Sequence, residues 1–241
     1  MKDMKVFILC GGQGTRLRPY TYSIPKPMLK LGKKPILQYV VQNLKLNGFR
    51  DLILTVGYKK EKIMDYFGDG AAFGVKIEYS IEDEPKNTAG SILDYKNKIN
   101  QSFLVVMGDH LTDVKFSDMM AMHKKSNAIA TIALTRQEMQ LEYGIAELSS
   151  SNNSPSIVDF KEKPKYDFFI NTGIYAFEPE IFAYIKERDD FAKQVFPRLL
   201  SAKKKINPYI FEEYWVDIGR VSDYQRLDEF IKITTLLKNV V

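Results

Sequence analysis

The apolar positions of this chain change their period repeatedly. Val6-Phe7-Ile8-Leu9 is a continuous apolar run that ends at a glycine turn, the mark of a buried strand. Over 35–47 the apolar positions fall at 36, 37, 40, 41 and 44, a helical spacing with Pro35 near the start and Gly48 after the end. Asp51–Val56 reads as strand, and Lys60–Phe67 as a short helix closed by Gly68-Asp69-Gly70. Residues 75–81 alternate as a strand does. Thr88 is placed to cap a helix running to about residue 99. Residues 102–107 form another apolar strand, ending at Gly108-Asp109, and 116–125 a helix with His123 expected on its exposed side.

The second half is less regular. Strands are expected over 128–135, 145–148, 157–160, 173–177 and 209–216, helices near 179–187 and 191–202, and a closing helix over 221–237. Residues 149–155, SSSNNSP, read as a polar hairpin tip rather than a linker. No internal repeat is visible. Alternating strand and helix predict an α/β, Rossmann-like fold: a mainly parallel mixed sheet flanked by helices. Ligands of such sheets sit at the carboxyl ends of the strands. The glycine turn, Glu82 and Asp109 each follow a strand, so they should share one rim.

The stretch with most chemical content is Cys10-Gly11-Gly12-Gln13-Gly14-Thr15-Arg16-Leu17-Arg18-Pro19. Its glycines let the chain turn and let a ligand approach the main chain closely. Successive exposed N–H groups in such a turn make an anion site, and Arg16 adds a planar cation suited to phosphate. Lys26 follows between Pro25 and Pro27, which should hold the segment extended. The pair of stretches reads as a grip on a nucleoside triphosphate. It matches neither G-x-x-x-x-G-K-[ST] nor G-x-G-x-x-G, because position 17 is Leu.

Composition narrows the class. The chain has 241 residues, 45% of them apolar, enough for one large core and unlike a disordered chain. The net charge is +5, from 35 basic residues against 30 acidic. The charges are interspersed, with no basic track for nucleic acid; a modest excess suits anionic substrates. One cysteine excludes an intrachain disulfide and a cysteine-based zinc site. No apolar run reaches membrane-span length and the N-terminus has no signal-peptide pattern, so a cytoplasmic protein is expected.

Residues 11–31, GGQGTRLRPYTYSIPKPMLKL, resemble the signature of the sugar-1-phosphate nucleotidyltransferases. The resemblance continues in order through Thr88-Ala89-Gly90-Ser91, Gly108-Asp109, Tyr143-Gly144-Ile145, Phe160-Lys161-Glu162-Lys163-Pro164, Asn171-Thr172-Gly173-Ile174-Tyr175 and Trp215-Val216-Asp217-Ile218-Gly219. It implies one domain over 1–241, with a nucleotide-binding half over about 1–125 and a sugar-binding half over about 126–241. The implied reaction joins a nucleoside triphosphate to a sugar 1-phosphate and releases pyrophosphate. Arg16 and Lys26 would hold the phosphates, and Asp109 and Asp217 would be catalytic as ligands of Mg2+. Gly11, Gly12, Gly14, Thr15, Glu82, Asn87, Thr88 and Gly108 would bind the nucleotide. Gly144, Glu162, Lys163 and Asn171 would bind the sugar phosphate. Cys10 fits a small core residue, and His110 a supporting or packing role.

Glu82 aligns where the family reads the base edge. A carboxylate accepts the paired donors of guanine, which favours GTP, with mannose 1-phosphate as its partner. Asn87 replaces the glycine usual before Thr-Ala-Gly, and glucose 1-phosphate with UTP or dTTP stays open. A catalytically silent nucleotide-sugar-binding regulator is the alternative of another class; retention of Arg16, Lys26, Asp109 and Asp217 argues against it. A glycosyltransferase would be expected to carry Asp-x-Asp here, and Asp109 is followed by His110 and Leu111. The family's carboxyl-terminal β-helix is not expected in this chain, and a homodimer is a family-level expectation.

Overall fold

A computed structural model describes residues 4–149 and 154–238, without the side chains from 232 onward. Its strands are β1 (Lys5–Leu9), β2 (Lys30–Leu31), β3 (Lys34–Pro35), β4 (Asp51–Val56), β5 (Lys76–Ile81), β6 (Phe103–Met107), β7 (His110–Thr112), β8 (Ala130–Gln140), β9 (Ile145–Leu148), β10 (Ile157–Lys161), β11 (Lys165–Phe177), β12 (Ile206–Ile210) and β13 (Trp215–Asp217). Its α-helices are α1 (Ile36–Leu46), α2 (Lys60–Phe67), α3 (Asn87–Gly90), α4 (Phe116–Ser126), α5 (Phe196–Ser201) and α6 (Val221–Lys238). The central sheet has seven strands in the order β12-β8-β11-β6-β1-β4-β5. All neighbours run parallel except β11, which is antiparallel to both β6 and β8. Both halves of the chain therefore contribute to one sheet.

Strand alternation explains why both faces are covered. On one face Val6, Ile8, Leu52, Leu54, Leu104 and Val106 pack against Leu37, Val41 and Leu44 of α1, Ile63 and Phe67 of α2, and Phe116, Met119 and Met120 of α4. On the other, Phe7, Ile53, Phe103 and Val105 meet Ile92, Ile99, Phe182, Phe191, Phe196 and Leu199. A third, smaller cluster matters more to function. Leu17, Leu29, Leu31, Ile36 and Ile218 pack together with Tyr224, Leu227 and Ile231 of α6. Leu17 and Ile218 are fully buried, and they are the sequence neighbours of Arg16 and Asp217. Each buried side chain of this kind contributes about 1.5–3 kcal/mol, so this cluster fixes the glycine turn against the end of β13.

The first half follows its periodicity closely; the second departs from it. The expected helix from Thr88 to about residue 99 does not form. Instead α3 is one turn, and a 3-10 turn follows at Leu93–Tyr95. The N–H groups of Ala89 and Gly90 donate to the carbonyl of Asp189 (2.9 and 3.1 Å). A Cβ on Gly90 would lie 2.8 Å from the Arg188 nitrogen. Thr88 is not a cap; its hydroxyl donates to Asp190 Oδ2 at 2.9 Å. Tertiary contact thus replaces helix propagation. Residues 128–135 and 173–177 are parts of longer strands, because polar and aromatic residues of β8 and β11 continue pairing from Leu134–Asn171 to Gln140–Lys165. Residues 209–216 split between β12, at an edge of the main sheet, and β13, which pairs with β7. Helix 179–187 is a 3-10 segment over Pro179–Tyr184, and 191–202 begins as a π-turn over Phe191–Val195 before α5. Ser149 N donates to Ser156 O at 2.9 Å at the base of the polar hairpin; its residues 150–153 lie outside the described ones. Among the described residues no helix is long and apolar enough to cross a membrane.

Candidate active site

The glycine turn leaves β1 at the point where the strand order reverses, between β1 and β6. That is the crevice in which open α/β sheets hold ligands. Cys10 N donates to Thr55 O (2.9 Å) and Gly108 N to Leu9 O (3.0 Å), so the turn and the Gly108-Asp109 corner are pinned side by side. Gly14 has φ +63°, and a Cβ there would lie 3.0 Å from Thr21 Cγ2 and 3.1 Å from Lys26 Cβ. The Thr21 hydroxyl closes the turn by donating to Gly14 O at 2.8 Å. Residues Thr15–Leu17 make a single 3-10 turn. Gly12, Thr15 and Arg16 are exposed along it.

Lys26 is not held in an extended segment. Pro25 is extended, but Lys26–Met28 turn as a 3-10 helix that sinks the lysine until 8% of it is exposed. Proline at its second position is tolerated because the first N–H groups of a helix have no partner inside it. The Lys26 ammonium reaches Asp109 Oδ2 at 2.5 Å and Asp217 Oδ1 at 3.1 Å. Asp217 pairs with His110 across β13 and β7, which brings residues about a hundred positions apart into register. His110 Nε2 lies 3.6 Å from Asp109 Oδ1 and 3.4 Å from Asp217 Oδ1. One ligand atom from each of Asp109, His110 and Asp217 fits within 4.8 Å of the others, so this trio has the dimensions of a metal site.

The electrostatics follow from this crowding. Burial opposes ionisation of Asp217, yet the His110 hydrogen bond and the Lys26 charge hold its carboxyl well below the usual range. Burial alone would lower His110; the hydrogen bond to Asp217 and the charges of Asp109 and Asp217 instead raise it. Burial pushes the Cys10 thiol up, helped by Asp109 and Glu82, which makes it a packing residue and a poor nucleophile.

The turn and Asp109 line one cavity of about 250 Å3, bounded by Gly12, Gly14, Arg16, Lys26, Asp109 and Gly219. A second cavity of about 290 Å3 lies on Gly11 and Gln13 of the same turn, and is bounded also by Gly57, Tyr58, Lys60 and Glu82. Glu82 follows β5 and is 8% exposed; its Oε1 has no hydrogen-bond partner. A Cβ on Gly11 would lie 2.9 Å from Glu82 Oε2, so glycine there is a condition for the carboxylate's position. Burial pushes the Glu82 carboxyl up, against hydrogen bonds from Ser91 and Lys86.

The remaining sequence candidates sit differently. Asn87 has φ +57° and donates from Nδ2 to Arg188 O at 2.7 Å. Thr88 accepts from Phe191 N at 2.9 Å. Both side chains are engaged with the 188–191 segment. Gly108 packs on Cys10, where a Cβ would come within 2.5 Å of Sγ. Gly144 abuts Glu162: a Cβ there would be 2.6 Å from Oε2. Lys163 lies exposed at φ +43°. No hydrogen bond or ion pair joins Gly144, Glu162 or Lys163 to the Asp109–Asp217 cluster among the described residues. Asn171 Nδ2 donates to the Tyr175 hydroxyl (2.9 Å), and its Oδ1 accepts from Gly173 N (3.0 Å), across the irregular pairing between β11 and β8.

Three further residues stand in this site: His110, expected only to support or pack, and Thr172 and Trp215, to which the sequence assigns no part. His110 is in the trio itself, and Thr172 and Trp215 fix its ring. Only the adjacency of His110 to Asp109 hinted at this. His123, expected to be exposed, is 1% exposed; its Nδ1 lies 2.7 Å from Thr131 Oγ1 in a separate buried network. Its polar character suggested exposure, but helical spacing sets it with Phe116, Met119 and Met120 on the buried stripe of α4, where Thr131 of β8 gives it a polar partner.

The nucleotidyl transferase family model matches residues 5–233. A UTP–glucose-1-phosphate uridylyltransferase of Synechocystis sp. is 34% identical over 92% of this chain and 61% of its own length. A mannose-1-phosphate guanyltransferase of Yarrowia lipolytica is 35% identical over 92% of this chain and 62% of its own. The chain thus spans about three fifths of the length of these curated relatives. The crystal structure of HddC from Yersinia pseudotuberculosis superposes with a TM-score of 0.73 at 25% identity, covering 94% of this chain and 98% of that one. A putative glucose-1-phosphate thymidylyltransferase from Bacillus anthracis has the same fold, with a TM-score of 0.73 at 23% identity over 95% of each chain. With its glycine turn, sheet order and length of match all in agreement, this chain belongs to the nucleotidyl transferase family, as the resemblance to sugar-1-phosphate nucleotidyltransferases implied.

Proposed function

We propose that this chain transfers a nucleotidyl group from a nucleoside triphosphate to a sugar 1-phosphate, giving a nucleoside diphosphate sugar and pyrophosphate. GTP and mannose 1-phosphate are the proposed pair. The observation that carries the reading is the convergence of Lys26 on Asp109 and Asp217 beside the glycine turn. In the reaction an oxygen of the sugar phosphate bonds to the α-phosphorus as the bond to the departing pyrophosphate breaks. Both reactants are polyanions, and like charges 4 Å apart repel by about 4 kcal/mol at an effective dielectric of 20. Positioning and neutralisation are therefore the main work of the site.

Arg16 and the N–H groups of the turn hold the triphosphate and the pyrophosphate product. Lys26 brings its charge to the α-phosphate between the two reactants. Asp109 and Asp217 hold Mg2+. Two carboxylates with one lysine leave net negative charge in a small cleft, which fits a hard divalent cation that takes one or two carboxylates and completes its shell with phosphate oxygens and water. When bound, that ion supplies polarisation of the phosphate oxygens. The buried, unpartnered Oε1 of Glu82 accepts from the base, and guanine offers it a paired donor edge. Gly144, Glu162, Lys163 and Asn171 face the sugar phosphate from the second half.

The second reading, glucose 1-phosphate with UTP or dTTP, is favoured by the near-equal identity to the Synechocystis relative. A grid of nucleoside triphosphates and sugar 1-phosphates with Mg2+, read by pyrophosphate release, separates the two. Fastest turnover with GTP and mannose 1-phosphate is expected. No turnover with any pair would remove the catalytic reading.

A further inference from the structure

His110 has a ring held on three sides. Its Nδ1 lies 3.0 Å from the carbonyl oxygen of Thr172. A carbonyl cannot donate, so Nδ1 carries the proton. The same oxygen accepts from Trp215 Nε1 at 3.1 Å, and the Trp215 ring meets the imidazole edge-to-face at 5.3 Å and 85°. Gly173, at φ +74°, makes room, since a Cβ there would lie 3.1 Å from His110 Cε1 and 2.7 Å from Met107 Cγ. This bracing leaves Nε2 aimed at Asp109 Oδ1 and Asp217 Oδ1, 3.6 and 3.4 Å away. With no ion bound, a second ring proton on Nε2 is donated to Asp217 Oδ1. Once that proton leaves, Nε2 presents a lone pair beside two acceptor-only oxygens, and a divalent cation takes the proton's place. Two donors each about 2.1 Å from one ion, at right or tetrahedral angles, lie roughly 3.0–3.4 Å apart, close to both distances. A ligating histidine almost always donates its other ring N–H to a carbonyl or carboxylate, as His110 does to Thr172.

We infer that His110 Nε2 is a third protein ligand to the divalent cation of Asp109 and Asp217. The inference rests on the proposed metal site and adds a nitrogen to it. A site with imidazole shifts preference away from Mg2+ toward cobalt and its neighbours, because nitrogen ligands suit those ions better than Mg2+. It also ties the ion to the Thr172–Gly173 segment of the second half, through one ring.

The test is electron spin-echo spectroscopy of the whole protein with Mn2+ alone. Modulation from a directly bonded 14N is expected, changing to the 15N pattern when the protein is grown with 15N-histidine. His123, the other histidine of the chain, is buried against Thr131, away from the trio. His110→Asn should abolish the nitrogen signal and weaken Co2+ binding at least tenfold by calorimetry while Mg2+ binding changes less. The labelled wild-type measurement does not depend on that variant folding. Bound Mn2+ with no nitrogen coupling overturns the inference and leaves the carboxylate site standing. Failure to bind Mn2+ at millimolar concentration overturns both.

Discussion

Replacing Lys26 by Met removes one ammonium and keeps an unbranched stem. The side chain is 10% exposed and its charge sits between Asp109 and Asp217, 2.5 and 3.1 Å away. Two effects follow, and they are separable. Without ligands, two carboxylates lose their shared partner. Breaking a buried pair costs about 3–5 kcal/mol, but Asp217 is 36% exposed and water screens it, so about 1–2 kcal/mol is expected here. For a chain of this length that lowers Tm by roughly 2–8 °C. During turnover, the α-phosphate loses a positive charge in a narrow cleft. Removing one such charge-stabilising group costs about 2.7–4 kcal/mol in the barrier, or 10²–10³ in kcat. Turnover would be measured by pyrophosphate release at saturating substrates, well below the variant's Tm. A kcat within threefold of wild type would refute the reasoning, since a dispensable Lys26 cannot be the charge that lets two polyanions meet. A large kcat loss with an unchanged Tm would refute only the stability half.

Gly108→Ala should lower Tm by a few degrees, because its Cβ would lie 2.5 Å from Cys10 Sγ and 3.1 Å from Leu9 O; overpacking of this kind costs about 1–3 kcal/mol, and an unshifted melting curve would mean the corner relaxes freely. Glu82→Gln replaces an acceptor pair by one acceptor and one donor. A hydrogen bond to a charged group is worth about 1.5–3 kcal/mol, so KM for GTP should rise about ten- to hundredfold, more than KM for UTP, and equal changes for both would take Glu82 away from the base. His123 has its pKa lowered, mainly by burial, so below the ordinary histidine value the unfolded chain takes up a proton that the folded chain resists. Stability should therefore fall as pH drops below about 6.5, by up to about 1.4 kcal/mol per pH unit, and His123→Gln should flatten that slope in Tm measured from pH 7.5 to 5.5. An unchanged slope in the variant would assign the acid sensitivity to other groups.

The sequence by itself determined the parallel core and its rim. β1, β4, β5 and β6 are short apolar or alternating runs next to helices, and their signals are local: period, glycine and proline. The glycine turn, Glu82 and Asp109 were placed on one rim because each follows such a strand, and the parallel pairing of β1 with β4 and β6 makes those ends adjacent. Only the tertiary structure decided the rest. The irregular second half, the missing 88–99 helix and the long β8–β11 ribbon are settled by partners distant in sequence, such as Asp189 for Gly90 or Gln140 for Lys165. The trio of Asp109, His110 and Asp217 depends on one antiparallel register between β7 and β13. Shifting that register by one residue would turn Asp217 to the opposite face, and no periodicity within either three-residue strand encodes it, because register is set by what each strand buries and by what it meets.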